Sequence, residues 1–215
     1  MGKLIAIVGA SGVGKTTLVR ALARAFPPAL PTEHRDNVSG VEGFQTAYEG
    51  HAERPFQTLL QENPRYALAN QIDYLLECAQ QEKQLRASPQ MGLMDGGLDL
   101  NFHGFTRLFH RRGLLTDSEL GLCRRLYNFL RETLPPPELF VRLCAQESTV
   151  ANRLAARERI NIARAEDTAL FNALLEEWLA SIPPDQVLEI DVSQETSDYE
   201  RSVGIILSKL RASEG

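Results

Sequence analysis

The stretch that decides the fold is KLIAIVGASGVGKTT, residues 3–17. It begins with a short apolar run, Leu4 to Val8, that leads into a glycine-rich loop, as buried parallel strands commonly do. From Lys15 to Phe26 the apolar residues recur at helical spacing. The sequence therefore predicts a strand, a loop and a helix in succession.

The loop matches the phosphate-binding pattern G-x-x-x-x-G-K-S/T at Gly9, Gly14, Lys15 and Thr16. Glycines allow backbone N–H groups to face phosphates, and the helix N-terminus favours negative charge. We expect Lys15 to reach the terminal phosphates of ATP and Thr16 to ligate Mg²⁺. The residues of the expected nucleotide-binding loop are Gly9, Ala10, Ser11, Gly12, Val13, Gly14, Lys15, Thr16 and Thr17. The pattern predicts phosphoryl transfer or hydrolysis of a nucleoside triphosphate.

Composition narrows the class of protein. The chain has 215 residues, 43% of them hydrophobic, which suits one soluble domain over 1–215. Its net charge of −5 argues against nucleic acid as a partner. The three cysteines lack ligand or disulfide spacing and indicate a reducing compartment. With no apolar run long enough for a membrane span, we expect a cytoplasmic protein.

Further strands alternate with helical segments along the chain. Predicted strands are ALPTE (29–33), QMGLMDGG (90–97), ELFVRLCA (138–145) and VLEIDV (187–192). Predicted helices cover 55–84, with a break at Asn63-Pro64, then 101–112, 116–134 with a capping box TDSE, a segment from about 148, and 198–212. Residues 37–50 are predicted to form a loop. The alternation predicts an α/β fold with a parallel sheet covered on both faces.

Two carboxylates are candidates for the chemistry. Glu33 follows LPT, where a strand beside the first would end, so it is a candidate base for the proton of an acceptor hydroxyl. Glutamates in loops are nevertheless more often solvated. Asp95 follows GLM and is a candidate for holding Mg²⁺, directly or through water. An aspartate before Gly96 and Gly97 is also a common turn former.

These segments resemble the deoxynucleoside kinases over nearly the whole chain, diffusely outside the phosphate loop. LPTE resembles the family's Thr-Glu-Pro segment, which implies that Glu33 is the general base for a 5′-hydroxyl. ERPFQTLLQENPRYALANQIDYLL (53–76) is similar to the stretch whose glutamine binds the nucleobase, here Gln71. DGGLDLNFHGF aligns with the acid-Arg-Ser segment, with Asp95 at its acid and Phe105 at the aromatic residue beside the base. A glutamine of this kind also caps backbone groups, and phenylalanine is more often a core residue.

The resemblance also implies a lid at about 157–166. NRLAARER (152–159) looks like the family's lid sequence, whose arginines Arg153, Arg157 and Arg159 would clamp the triphosphate. FNALLEEWL (171–179) resembles the helix after the lid. The implied architecture is a three-layer P-loop kinase fold, with a five-stranded parallel sheet, helices on both faces and an arginine-bearing lid. A homodimer and a purine deoxynucleoside substrate are further expectations from the resemblance.

The chain departs from the family pattern at two site positions. The family arginine is Gly96 here, and the acid beyond it that contacts the base is Asn101. Losing the arginine removes a cation that stabilises the transferring phosphate. Arginines that could substitute for it are Arg35, Arg107, Arg111 and Arg112. Two alternatives therefore stay open: a kinase for a nucleoside monophosphate or another small molecule, since Arg35 and Arg107 suit a phosphate acceptor, and a nucleotide-binding homologue with impaired catalysis.

Overall fold

The computed structural model describes residues 2–25, 43–48, 55–155, 167–196 and 198–212. It contains one sheet of five strands, all parallel, in the order β2-β3-β1-β4-β5. The strands are β1 (Leu4–Val8), β2 (Phe44–Ala47), β3 (Met91–Asp95), β4 (Leu139–Cys144) and β5 (Val187–Asp191). The predicted α/β class and the five-stranded parallel sheet are confirmed. No helix in the described ranges is both long enough and apolar enough to cross a membrane.

Strand register places the chemistry at one edge of the sheet. Ile7 of β1 pairs with Asp95 of β3 on one side and with Val141 of β4 on the other. Because parallel strands end at a common edge, the loop that follows Val8 lies beside Asp95. This is the edge at which open α/β sheets bind their ligands.

The predicted loop over 37–50 is wrong in part, because β2 spans Phe44–Ala47. Phe44 is 1% exposed and pairs with Met91 of β3. The four residues of β2 lie among glycines and polar residues, so the local sequence signal for a strand is weak. β2 is stabilised by pairing with β3 and by burial of Phe44. The predicted strand 29–33 lies outside the described residues. The strands beside β1 are β3 and β4.

Helices cover both faces of the sheet. They are α1 (Lys15–Ala25), α2 (Pro55–Glu62), α3 (Ala67–Ala87), α4 (Arg107–Arg111), α5 (Asp117–Thr133), α6 (Glu147–Ala155), α7 (Thr168–Leu179) and α8 (Glu200–Ala212). Ile5 and Ile7 of β1 belong to the core cluster that contains residues of α1 and α8. The alternate residues Leu4, Ala6 and Val8 pack with residues of α3, α5 and α7. The alternation along β1 therefore separates two apolar layers, as expected for a strand buried on both faces.

Local helix signals read from the sequence are confirmed. The break between α2 and α3 occurs at Asn63, whose side chain accepts a hydrogen bond from the backbone N–H of Arg65 at 3.0 Å. The capping box of α5 is present, with Thr116 and Glu119 bonding each other's backbone N–H groups. The predicted helix 101–112 begins as a π-helix, Leu100–Thr106, and continues as α4. π-helical turns are rare and frequently mark functional sites.

A buried ionic cluster joins α3 to α5. Arg131 donates to both carboxylate oxygens of Glu82, at 2.8 and 3.0 Å, and to Asp99 at 2.6 Å. Arg86 also donates to Glu82, at 3.2 Å. Glu82 is 0% exposed, so its charge depends on these two guanidinium groups for compensation. The cluster fixes the end of α3 against α5 and against the turn that follows Asp95.

Candidate active site

The phosphate loop has the backbone shape that its glycines predict. Gly9, Gly12 and Gly14 all have positive φ, at 148°, 84° and 114°. At Gly14 a Cβ atom would lie 2.0 Å from the hydroxyl oxygen of Tyr199. Glycine is therefore required at Gly14 by conformation and by space, since a side chain fits neither.

Lys15 is the first residue of α1, and its side chain turns back over the loop. Nζ donates to the carbonyl oxygens of Gly9 at 3.0 Å and Ala10 at 3.1 Å. The residue is 7% exposed. Its ammonium group is thus held within the glycine-rich loop, at the end of the helix whose dipole favours anions.

Thr16 and Asp95, the two predicted metal ligands, are brought together by α1 and β3. The Thr16 hydroxyl donates to Oδ2 of Asp95 at 2.5 Å. Asp95 is 4% exposed and is the last residue of β3. A hydroxyl and a carboxylate are oxygen ligands of the kind that Mg²⁺ prefers, and Mg²⁺ usually takes its remaining ligands from water and substrate phosphates. No cluster of three or more His, Cys, Asp or Glu side chains suited to a metal occurs in the described part of the chain.

Arg153, the first predicted lid arginine, lies against the back of the phosphate loop. Nη1 donates to the carbonyl oxygen of Val13 at 2.6 Å, and Nη2 donates to that of Val192 at 3.1 Å. The guanidinium group therefore ties α6 to the phosphate loop and to the segment after β5. Arg157, Arg159 and the predicted lid at 157–166 lie outside the described residues.

On the acceptor side, Gln71 and Asn101 are buried and hydrogen-bonded. Gln71, on α3, accepts a hydrogen bond from the Thr106 hydroxyl at 2.8 Å. The Asn101 amide donates to Sγ of Cys78 at 2.8 Å and to the carbonyl oxygen of Gly97 at 3.3 Å. The two residues are 2% and 4% exposed. They link α3 to the π-helix at the carboxyl edge of the sheet.

Phe105 lies in the core between the π-helix and α7. Its ring centroid is 4.8 Å from that of Phe171, and the residue is 7% exposed. The structure thus gives Phe105 a packing role, and a contact with a nucleobase stays a prediction. Glu33, the predicted base, lies outside the described residues.

Gly96, which stands where the family has an arginine, has a backbone conformation that favours glycine. Gly96 has φ of 89° and Gly97 has φ of 106°, a region that residues with side chains rarely adopt. Space is available among the residues that the structure describes, since there a Cβ at Gly96 would meet only the Leu100 side chain, at 3.5 Å. Of the candidate replacements, Arg107 donates to Glu177 at 2.7 Å and Arg112 is 3.2 Å from Asp167. Both guanidinium groups are therefore already engaged by acids.

His103 on the π-helix has an unusual environment. Its ring stacks on Trp178 with centroids 5.1 Å apart, and Nε2 is 3.2 Å from the Tyr127 hydroxyl oxygen. That hydroxyl donates its single proton to Asp99 at 2.7 Å, so Nε2–H is the donor toward Tyr127. Burial lowers the pKa of His103 to about 4, and the ring is neutral at pH 7.

Sequence reasoning missed Tyr199. It is 3% exposed, has φ of 53° and places its hydroxyl against Gly14 of the phosphate loop. A non-glycine residue in this conformation is held there by its surroundings. The local sequence SDYERS carries no signal for that contact, because it depends on where β5 ends relative to the loop.

Comparison with known proteins agrees with this architecture. A family model described as deoxynucleoside kinase matches residues 5–212. No significant match is found among curated protein sequences. Solved structures of deoxyadenosine kinase from M. mycoides are similar in fold: the form with bound dATP has a TM-score of 0.74 at 18% identity. The form with the products dCMP and a flexible dCDP has a TM-score of 0.75 at 18% identity, and the form with dCTP 0.73 at 16%.

The structural match covers 97% of this chain and 99% of each of those chains. At this identity it establishes the shared fold, whereas the family model covers nearly every residue from β1 to the end of α8. The phosphate loop, the Thr16–Asp95 pair and the sheet order fit the same assignment. The chain therefore belongs to the deoxynucleoside kinase family and is a phosphotransferase that acts on nucleosides.

Proposed function

We propose that the protein transfers the γ-phosphoryl group of ATP to the 5′-hydroxyl of a deoxynucleoside, with a purine as the preferred base. The observation that supports this most directly is the hydrogen bond from Thr16 to Asp95 beside the phosphate loop. It joins the two oxygen ligands that a magnesium–triphosphate complex needs. Mg²⁺ bound there would neutralise charge on the β- and γ-phosphates.

The reaction requires an in-line displacement at the γ-phosphorus. The 5′-oxygen forms a bond to that phosphorus, the bond to the β,γ-bridging oxygen breaks, and ADP leaves. We assign to Lys15 the stabilisation of the negative charge that develops on the phosphates during transfer. The lid arginines Arg153, Arg157 and Arg159 are assigned the same role once nucleotide is bound.

The hydroxyl proton needs an acceptor, and two glutamates are candidates. Glu33 is the base implied by the sequence resemblance. Glu49 is the second candidate, because it is the second residue in sequence after Ala47, the last residue of β2. Ala47 pairs with Met94, next to Asp95. Since catalytic carboxylates of such folds commonly follow strand ends, the position of β2 favours Glu49.

For base recognition we assign Gln71, Asn101 and Phe105 to the acceptor pocket. An amide such as that of Gln71 can pair with a purine edge through one donor and one acceptor. The M. mycoides structures are named as deoxyadenosine kinase, which supports adenine as the first base to test. The two candidate amides support the proposed purine preference, and cytosine is the pyrimidine to test beside adenine because another of those structures holds dCMP.

A second candidate function is nucleotide binding without efficient transfer. It is favoured by the identity of residue 96, because Gly96 supplies no cation where the family has an arginine. The nucleoside monophosphate kinase alternative is less well supported, because Arg107 is engaged by Glu177. Detectable ATP binding with no turnover on any nucleoside would select the non-catalytic candidate.

We further propose a cytoplasmic homodimer formed through α3 and α5. Three large apolar side chains on these helices are exposed: Leu76 at 42%, Leu122 at 38% and Phe129 at 62%. The two helices pack against each other, so their exposed faces lie side by side and form one surface. A mass in solution of about twice the 24.0 kDa chain is expected, and a mass of one chain would contradict the dimer.

The experiment that tests the function is a coupled ADP-release assay with ATP and Mg²⁺. It compares the deoxynucleosides, the ribonucleosides and the deoxynucleoside monophosphates as acceptors. Glu33→Gln and Glu49→Gln are assayed on the best acceptor. The variant of the true base is expected to lose about 100-fold or more in kcat while still binding both substrates.

A further inference from the structure

The side-chain amide of Asn70 is fully buried. The residue is 0% exposed, and within the described part of the chain neither Oδ1 nor Nδ2 has a partner. Native proteins rarely leave a whole side-chain amide buried and unsatisfied, because each unmade bond costs the desolvation of that group. Packing of the core alone therefore does not explain why the Asn70 amide is buried.

The position of Asn70 along α3 places it at the active-site edge. The opposite end of α3 is tied to the start of β1, where the Arg86 carbonyl accepts from the Gly2 N–H at 3.0 Å. Asn70 lies about 24 Å from Arg86 along the helix. The chain from Gly2 to Val8 spans only about 20 Å. The two lengths are similar, so Asn70 lies near the carboxyl ends of the strands, where its neighbour Gln71 bonds Thr106 of the π-helix.

Two neighbouring amides share this region, and both are satisfied. Gln57 of α2, 6% exposed, accepts from the Tyr74 hydroxyl at 3.0 Å. Gln71 accepts from Thr106 at 2.8 Å. Tyr74 is one helical turn from Asn70, so the two side chains lie on the same side of α3, and the Tyr74 hydroxyl meets α2 there. Of the three amides, only that of Asn70 lacks a hydrogen bond within the described residues.

We propose that Asn70 reads the base of the acceptor nucleoside, as a second amide beside Gln71. The inference rests on the proposed function, since it needs a nucleoside in that pocket. An Asn amide offers one donor and one acceptor, which matches a ring nitrogen beside an amino group in adenine. A purine has two such edges, so two amides can contact one purine. Asn70 is then a specificity-determining residue.

The test uses Asn70→Leu, which keeps the branching at Cγ and removes both polar groups. We expect kcat/KM on the preferred purine deoxynucleoside to fall about tenfold or more, because a site built to hydrogen-bond a base loses that contact. The ratio of kcat/KM between the best and the second-best base should narrow by a similar factor. KM for ATP should stay within about twofold, since the phosphate loop is untouched.

Thermal unfolding separates this role from a structural one. Without nucleoside, Asn70→Leu is expected to unfold at the same or a higher temperature, because an unsatisfied buried amide is removed. The rise in unfolding temperature caused by saturating nucleoside should shrink. Gln84→Leu, an exposed position on the same helix, is the control and should change neither quantity. Asn70→Ser provides a smaller polar variant if the leucine packs poorly.

The outcomes are distinct. An equal loss of kcat/KM on all nucleosides would place Asn70 at the sugar and overturn base reading. A lower unfolding temperature without nucleoside, with unchanged base selectivity, would make Asn70 structural and overturn the proposal. If the wild-type protein phosphorylates no nucleoside, the proposed function fails first, and the base-reading role fails with it.

Discussion

Arg153 donates a 2.6 Å hydrogen bond to the carbonyl oxygen of Val13, so the residue that precedes the lid region holds the phosphate loop by its backbone. The same guanidinium group reaches Val192 beyond β5. These two hydrogen bonds to backbone carbonyls are separate from any contact that Arg153 makes with phosphates. Arg153 therefore has a positioning role in this structure.

Arg153→Lys tests that role, because lysine keeps the charge but lacks the planar fork. We expect KM for ATP to rise and the free energy of unfolding without nucleotide to fall by about 1–2 kcal/mol, from two lost hydrogen bonds. Steady-state kinetics and chemical denaturation measure the two effects. Arg24→Lys, at an exposed position on α1, is the control. A lower kcat with unchanged stability would instead assign Arg153 to the phosphates alone.

The Thr16–Asp95 hydrogen bond predicts a shared dependence on Mg²⁺. Asp95→Asn removes the carboxylate charge with little change in shape, and Thr16→Val removes the hydroxyl. Both variants should need more Mg²⁺ for half-maximal rate and lose about 100-fold or more in kcat. The measurement is a Mg²⁺ titration of the rate at saturating ATP. Unchanged Mg²⁺ dependence in both variants would remove this pair from the metal site.

Restoring the family arginine is not expected to restore its function. Gly96 has φ of 89°, so Gly96→Arg should destabilise the fold by about 1–2 kcal/mol. Because arginine rarely adopts the backbone conformation of Gly96, its guanidinium group would not be well placed, and kcat should not increase. Gly96→Ala isolates the backbone effect and should show a similar loss of stability. An increase in kcat of tenfold or more in Gly96→Arg would refute this explanation.

The buried imidazole of His103 predicts a pH dependence of stability. Its pKa in the folded protein is about 4, below the ordinary value of 6.5, because burial disfavours the charged ring. The unfolded state therefore binds more protons between these values, and stability falls as the pH is lowered from 7 toward 4. From pH 7 to pH 5 the loss is about 2 kcal/mol. Denaturation of His103→Phe at both pH values should show a difference smaller by that amount, whereas an equal difference would assign the effect to other groups.

The sequence was most predictive where the signal is local. The phosphate loop is a contiguous motif, and it lies between β1 and α1 as its sequence predicts. The capping box of α5 and the break at Asn63-Pro64 are likewise set by neighbouring residues. Each of these features needs no contact from a distant part of the chain.

Features that depend on tertiary contacts were not predicted. β2 exists because β3 pairs with it, and FQTA alone is too short to identify it. The contact of Tyr199 with Gly14 requires β5 to end beside the phosphate loop. The buried amide of Asn70 is visible only when burial and partners are known for each side chain. The sequence therefore predicted contiguous motifs better than contacts between distant segments.

The most direct measurement is the rate of ADP release from ATP and Mg²⁺ with deoxyadenosine or deoxyguanosine present, compared with the rate without acceptor. We expect a nucleoside-dependent rate accompanied by formation of the 5′-monophosphate in equal amount, and its loss in either Glu49→Gln or Glu33→Gln. No acceptor-dependent ADP release with any nucleoside, despite measurable ATP binding, would contradict kinase activity.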